Sequence, residues 1–189
     1  MNRVDIMTDL ETLGTKSNST VFQVSAISFD IKTGEMFDSF NKIIDIGKEH
    51  IISDGSTIQW WLKTNKELMS DLINSEVSES GEQVFKSFRE WIINQSSEIK
   101  NIYLWGNGIK FDNVMIDSQM SKYGLQYPIF YRNDRDVRTM LELASIKSGI
   151  SEKEIRASFN NEDELCHNAL DDCKYQIRLL KGCYDLLMN

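Results

Sequence analysis

The apolar residues of this chain change period near residue 56, and that change limits the fold more than any other feature. Before it, Val4 and Ile6 alternate over residues 4–11, and two further apolar stretches cover 21–29 and 37–44, the last entered through Asp30-Ile31-Lys32-Thr33-Gly34. Three strands follow, joined by hairpin-like connections, so the chain starts antiparallel. After it, Ser56-Thr57-Ile58-Gln59 and Ser80-Gly81-Glu82-Gln83 both fit the capping box, Ser followed three residues later by Gln, and each predicts the opening of a helix. In the second, Val84, Phe85, Phe88, Trp91 and Ile92 form one apolar face. Residues 102–105 predict a short buried strand that Gly106-Asn107-Gly108 ends, residues 111–123 a helix, and residues 137–147 another. The last helix carries Leu170, Cys173, Ile177, Leu180, Tyr184 and Leu187 at alternating spacings of three and four. Its stripe lasts under three heptads, too short for a coiled coil, so it packs on the domain's own sheet. Strands first, then strand alternating with helix, predict an α/β fold on a mixed sheet.

With 189 residues, one proline (Pro128) and no Pro/Gly/Ser-rich linker or internal repeat, the chain is expected to form a single domain over residues 1–189. No apolar run approaches the roughly 18 residues of a membrane span, and residues 1–5 lack the apolar segment of an export signal, so no membrane partner and a cytoplasmic location are expected. Cys166, Cys173 and Cys183 lack paired metal-ligand spacing and read as buried free thiols. A formal charge of −8 argues against a broadly basic surface for phosphate, so a nucleic acid must be attracted locally.

Three positions could carry chemistry. Asp9 and Glu11 are two apart on the first strand, point to the same face, and can reach one metal ion. With 29 acids in 189 residues, such pairs arise by chance roughly four times; placement matters more, because two carboxylates on a central strand repel unless a cation holds them. The alternative is an exposed strand end. Asp112 follows a strand and a glycine turn at the start of a helix, where open α/β sheets place ligands, although the helix dipole alone favours an Asp there. His167 stands five residues before Asp172 at the start of the last helix, a position for either a structural histidine or a base near neutral pKa. His50, among Lys48 and Glu49, reads as a surface residue.

Taken in order, Asp9-Leu10-Glu11-Thr12-Leu13-Gly14, Asn107 through Phe111-Asp112, and His167-Asn168-Ala169-Leu170-Asp171-Asp172 resemble the three motifs of the DEDDh exonucleases, which include polymerase proofreading subunits, RNase T and oligoribonuclease. Thr57-Ile58-Gln59-Trp60-Trp61 and Asp136-Val137-Arg138-Thr139 resemble a compact phage and bacterial branch of that family. The resemblance implies a ribonuclease H-like fold, a mixed five-stranded sheet flanked by helices. It further implies a two-metal 3′-5′ exonuclease that removes nucleoside 5′-monophosphates from the 3′ end of single-stranded DNA or RNA. Asp9, Glu11, Asp112 and Asp172 would hold two divalent ions, Mg²⁺ or Mn²⁺, and His167 would act as general base; the family spacing from His167 selects Asp172 over Asp171. Thr12, Leu13, Asn107 and Phe111 would contact substrate, and Leu13 would lie against the terminal base. One of Trp60 and Trp61 would stack on a base: helical spacing buries Trp61 with Ile58 and Leu62, whereas the family pattern favours the second position, so both stay open. A homodimer follows by family analogy. Two other readings use part of these residues: a nucleic-acid-binding protein on the same fold without chemistry, and a metal-dependent nucleotide phosphatase. The choice between DNA and RNA is not encoded by any motif, since one hydrogen bond to a 2′-OH can decide it.

Overall fold

A computed structural model describes residues 3–160 and 167–188. Among these residues five strands form one sheet: β1 (Val4–Thr12), β2 (Val21–Phe29), β3 (Met36–Ile43), β4 (Ile102–Gly106) and β5 (Asp134–Asp136). Their order is β3-β2-β1-β4-β5. The two hairpins are antiparallel, whereas β4 joins β1 and β5 joins β4 in parallel. The turn between β2 and β3 is set by Asp30, whose carboxylate accepts from the backbone N–H groups of Lys32 (2.7 Å) and Thr33 (3.0 Å). Gly34 closes it at φ +75°, where a side chain would be strained. Parallel pairing needs crossovers, and the helices supply them.

Among the described residues, seven α-helices surround the sheet: α1 (Gly55–Thr64), α2 (Lys66–Ile73), α3 (Gly81–Asn94), α4 (Asp112–Lys122), α5 (Val137–Ser148), α6 (Glu152–Ala157) and α7 (Ala169–Met188). Because β1 and β2 are covered on both faces, their apolar residues serve two cores. Ile6, Leu10, Val24 and Leu104 pack against Phe85, Phe88 and Ile92 of α3 and Met115 and Met120 of α4. Met7, Ile27, Phe29 and Trp105 pack against Leu141 of α5 and Cys173, Ile177 and Leu180 of α7. A third cluster, Leu13, Phe22, Trp61 and Leu72, seats α1 and α2 beyond the end of β1. Cys173 and Cys183 are free and buried; Cys166 lies outside the described residues. Among the described residues no helix is long and apolar enough to cross a membrane.

The expected architecture is the observed one, with local differences that have physical causes. Ser80 forms its capping box as expected, side chain to the Gln83 N–H and back. The box expected at Ser56 does not form. Helix α1 starts two residues earlier behind Asp54, whose carboxylate caps no helical N–H of its own and instead accepts from the Thr15 backbone N–H at 2.9 Å, tying down the loop after β1. Helices α2 and α6 and strand β5 were outside the sequence expectation. Helix α6 had a readable signal, a capping box between Ser151 and Glu154.

Within the tryptophan pair, Trp61 is 1% exposed and donates its indole N–H to the Thr12 carbonyl at 3.1 Å, whereas Trp60 is 42% exposed. Trp61→Ala is expected to cost ~3–5 kcal/mol of stability and Trp60→Ala less than ~1 kcal/mol, measured by denaturant unfolding. Equal losses in the two variants would contradict this packing.

Candidate active site

The site grows from the central strand. Asp9 pairs with Ser25 and Glu11 with Gln23 across β1 and β2, so both acids project to the face covered by α7. From α7, Asp172 joins them: one carboxylate oxygen from each of Asp9, Glu11 and Asp172 lies within 4.8 Å of the others. Neighbouring Asp171 turns the other way, to an ion pair with Lys174 at 2.7 Å. One turn beyond Asp172, buried Gln176 donates its amide to Asp9 Oδ1 at 2.8 Å. The start of α7 is fixed from β2, where Gln23 Oε1 accepts from the Ala169 N–H (3.3 Å) and its amide donates to Asn41 Oδ1 (3.0 Å).

Asp112 arrives from the other side of β1, at the turn from β4 into α4, and is 3% exposed. Gly106 is required there: a Cβ on it would stand 2.5 Å from Asn113 Oδ1 and 3.0 Å from the Asp112 side chain. Asn113 then pins the helix start, donating to the Leu104 carbonyl (3.2 Å) and to Asp134 Oδ1 (2.7 Å), which also accepts from the Tyr127 hydroxyl (2.7 Å). The backbone N–H groups of Asn107 and of Asp112 itself hold the Asp112 carboxylate, and the Asn107 Oδ1 is buried.

Burial dominates the electrostatics. It pushes the Asp112 carboxyl up to about 7, against the opposing pull of its N–H donors and of the Arg138 guanidinium. The Asp9 carboxyl is driven well above its usual range, first by burial, then by Asp112 and Asp172; only the Gln176 amide pulls it down. Asp9, Glu11 and Asp172, with Asp112 close enough to repel Asp9, therefore make an oxygen-rich set short of positive charge. Two oxygens opposite each other on Mg²⁺ stand about 4 Å apart, so the observed carboxylate spacing fits a divalent cation with small side-chain rotations. Such an ion would reverse the pressure on both aspartates.

An opening of about 330 Å³ lies beside these acids, lined by Leu10, Glu11, Thr12, Trp60 and Phe111, with the hydroxyls of Thr15, Ser56 and Thr57 on its wall. His167 stands at Trp60, ring centres 4.7 Å apart and nearly perpendicular. Its backbone is left-handed, at φ +66°, the one non-glycine residue in that region among those described. Partial burial lowers its imidazole below the ordinary histidine value. Thr12, Phe111 and both tryptophans thus reach this opening, while Asn107 holds Asp112 from behind. Leu13 does not reach it. The register shifts between Glu11 and Thr12, Leu13 is gripped on both sides by backbone bonds to Thr20 and Asp54, and its side chain enters the core at 3% exposure, leaving Leu10 on the wall. Gln176, Gln23, Asn113, Asp134 and Tyr127 were not singled out by sequence reasoning. His50 is exposed, away from these acids, beside Lys122.

No curated protein matches the chain in sequence. Among solved structures, the fold is similar to cell-death related nuclease 4, with a TM-score of 0.71 and 16% identity over 96% of this chain and 64% of that one. It is similar also to the nuclease domain of 3′hExo, a DEDDh family member bound to rAMP, with a TM-score of 0.65 and 15% identity over 96% of this chain and 92% of that one. E. coli exonuclease I in complex with a dT13 oligonucleotide gives a TM-score of 0.71 and 13% identity over 95% of this chain and 40% of that one. This chain therefore spans less than two thirds of the first and third, and at such identities the likeness is one of fold. The family described as Rv2179c-like, a 3′-5′ exoribonuclease domain, matches residues 4–184, from the first residue of β1 into the last helix. A match over that whole span makes this chain a member of the Rv2179c-like 3′-5′ exoribonuclease domain family.

Proposed function

We propose that this exonuclease hydrolyses single-stranded RNA from its 3′ end to nucleoside 5′-monophosphates, with Asp9, Glu11, Asp112 and Asp172 holding two divalent ions, Mg²⁺ or Mn²⁺, and His167 as general base. The observation that carries the proposal is the convergence of Asp9, Glu11 and Asp172 within 4.8 Å, beside an opening lined by Trp60, whose ring contacts His167. RNA is chosen over DNA on the family's description.

When bound, the divalent ions would supply positive charge to the entering and leaving oxygens of the phosphodiester, which is otherwise repelled by four acids. The protein's own residues do the rest. Trp60, with its ring exposed, offers a stacking surface for the terminal base; such stacking contributes ~1–3 kcal/mol and tolerates any sequence. Trp61 takes no direct part, because it is buried under Thr12 and holds that backbone in place. Phe111 and Leu10 close the apolar sides of the opening, and the Thr12 backbone would hold the terminal 3′-hydroxyl. His167, kept neutral by partial burial, accepts the proton of the attacking water at an imidazole nitrogen. Gln176 keeps Asp9 oriented and favours its charged form.

The direct test is incubation of matched 5′-labelled RNA and DNA single strands with Mg²⁺ or Mn²⁺. A ladder shortening from the 3′ end, faster on RNA and abolished by chelator, is expected. Shortening that survives excess chelator would overturn the metal assignment. Binding without cleavage would indicate a binding protein, and loss of a terminal phosphate alone a phosphatase.

The histidine gives a pH test. Because its folded-state pKa lies below the ordinary value of about 6.5, the rate should rise with pH through that lower value and level off above it. His167→Ala should lower kcat by ~10²–10⁴ and flatten this rise while leaving Mn²⁺ affinity near wild type. A variant with the wild-type kcat and profile would remove His167 from the reaction.

A further inference from the structure

The four acids can be neutralised by the ions they hold, but the strand itself carries one charge per nucleotide and must be held by something else. The loop that delivers Asp112 has a cation at its edge. Arg138, the second residue of α5, has an exposed side chain, and its backbone N–H is anchored by the Asp136 carboxylate at 2.8 Å. Its guanidinium lies against Gly108. A Cβ built at Gly108 would stand 3.3 Å from Cζ, 3.5 Å from Nη2 and 3.6 Å from Nε, near-equal distances that mean the flat face of the guanidinium covers this glycine. Gly108 has φ +127°, a conformation that L side chains rarely adopt, so the contact depends on glycine twice over. A guanidinium packed by its face keeps its N–H groups in the plane, directed away from the glycine.

Among the described residues those N–H groups have no hydrogen-bond partner. Arg3 is committed to Asp5, Arg89 to the Gln126 carbonyl, Arg132 to the Tyr131 hydroxyl, and Arg135 to the carbonyls of Arg132 and Asp134. Among the described residues no carboxylate or carbonyl engages the Arg138 side chain. Its charge is nevertheless felt at the site, where it is one of the influences that pull the Asp112 carboxyl down.

We propose that Arg138 is a phosphate-binding residue of this exonuclease: with its face fixed on Gly108, its in-plane N–H groups hold a phosphodiester of the single strand near the 3′ end being cut. The inference rests on the exonuclease reading and names a substrate contact for it. A planar fork is suited to two oxygens of one phosphate. It would supply the local attraction that a chain of net charge −8 otherwise lacks.

The test is the salt dependence of binding and turnover for wild type, Arg138→Ala and Arg138→Lys on a single-stranded oligonucleotide, between about 50 and 200 mM salt. Loss of one phosphate contact should reduce the slope of log affinity against log salt by about 0.7 in Arg138→Ala, raise KM about tenfold, and fall on KM rather than kcat. Arg138→Lys, which keeps the charge but not the fork, should restore the slope and only part of the KM. A wild-type measurement covers the case in which the variant folds poorly: one neutral methylphosphonate linkage, moved along the first three positions from the 3′ end, should reproduce the loss at one position. At that position Arg138→Ala should add little further loss. An unchanged slope, or a fall in kcat with binding intact, would overturn the proposal and leave Arg138 acting on Asp112 alone. If the wild type shortens no oligonucleotide at all, the exonuclease reading fails and this inference with it.

Discussion

Asp9 sits where three other carboxylates bear on one partly buried space, and the rest of the architecture answers to that charge. Burial disfavours the charged form of each acid, and each neighbour raises the cost further. A protein can meet this by neutralising the acids with protons or by holding a cation. Burial and the neighbouring carboxylates favour the first wherever no cation is held, pushing Asp9 well up and Asp112 to about 7. The oxygen-rich, closely spaced donor set is suited to the second.

Holding such a set together takes more than the acids. Three polar anchors do it, each on a different element. Gln23 on β2 fixes the first turn of α7, Gln176 on α7 fixes Asp9, and Asn113 on α4 ties the Asp112 turn to β4 and β5. All three are buried, and each makes at least one hydrogen bond inside the protein. The glycines at 106 and 108 add close approach, letting Asn113 and Arg138 reach the loop that carries Asp112. His167 is held in a left-handed backbone conformation of the kind that costs about 1–3 kcal/mol and persists where the surroundings over-determine it.

Much of this could be read in the sequence, for reasons visible in individual residues. Two acids separated by one residue on a strand must share a face whatever the fold, so Asp9 and Glu11 were legible. The spacing of Asp171 and Asp172 within a helix told only that they diverge; the spacing from His167, not periodicity, chose between them. The chain hid what tertiary contacts decide. Leu13 was expected beside the base, but the register shift after Glu11 turns it into the core. Asp54 was not recognised as the start of α1 because its carboxylate is used across 39 residues of sequence on Thr15. Strand β5, Asp134-Arg135-Asp136, has no apolar pattern because it lies at a sheet edge. Gln176 and Asn113 carry no motif; their value lies in which carbonyl or carboxylate the fold puts opposite their amides.

The central claim is that a divalent cation relieves the repulsion among Asp9, Glu11, Asp112 and Asp172. It is tested most directly by following the side-chain carboxyl resonances of these residues by NMR through a pH titration, with and without saturating Mg²⁺. Without the ion, Asp112 should titrate at about 7 and Asp9 well above the ordinary aspartate range; with it, both should remain ionised down to the ordinary range or below. Carboxyls that titrate identically in the two conditions would contradict the account.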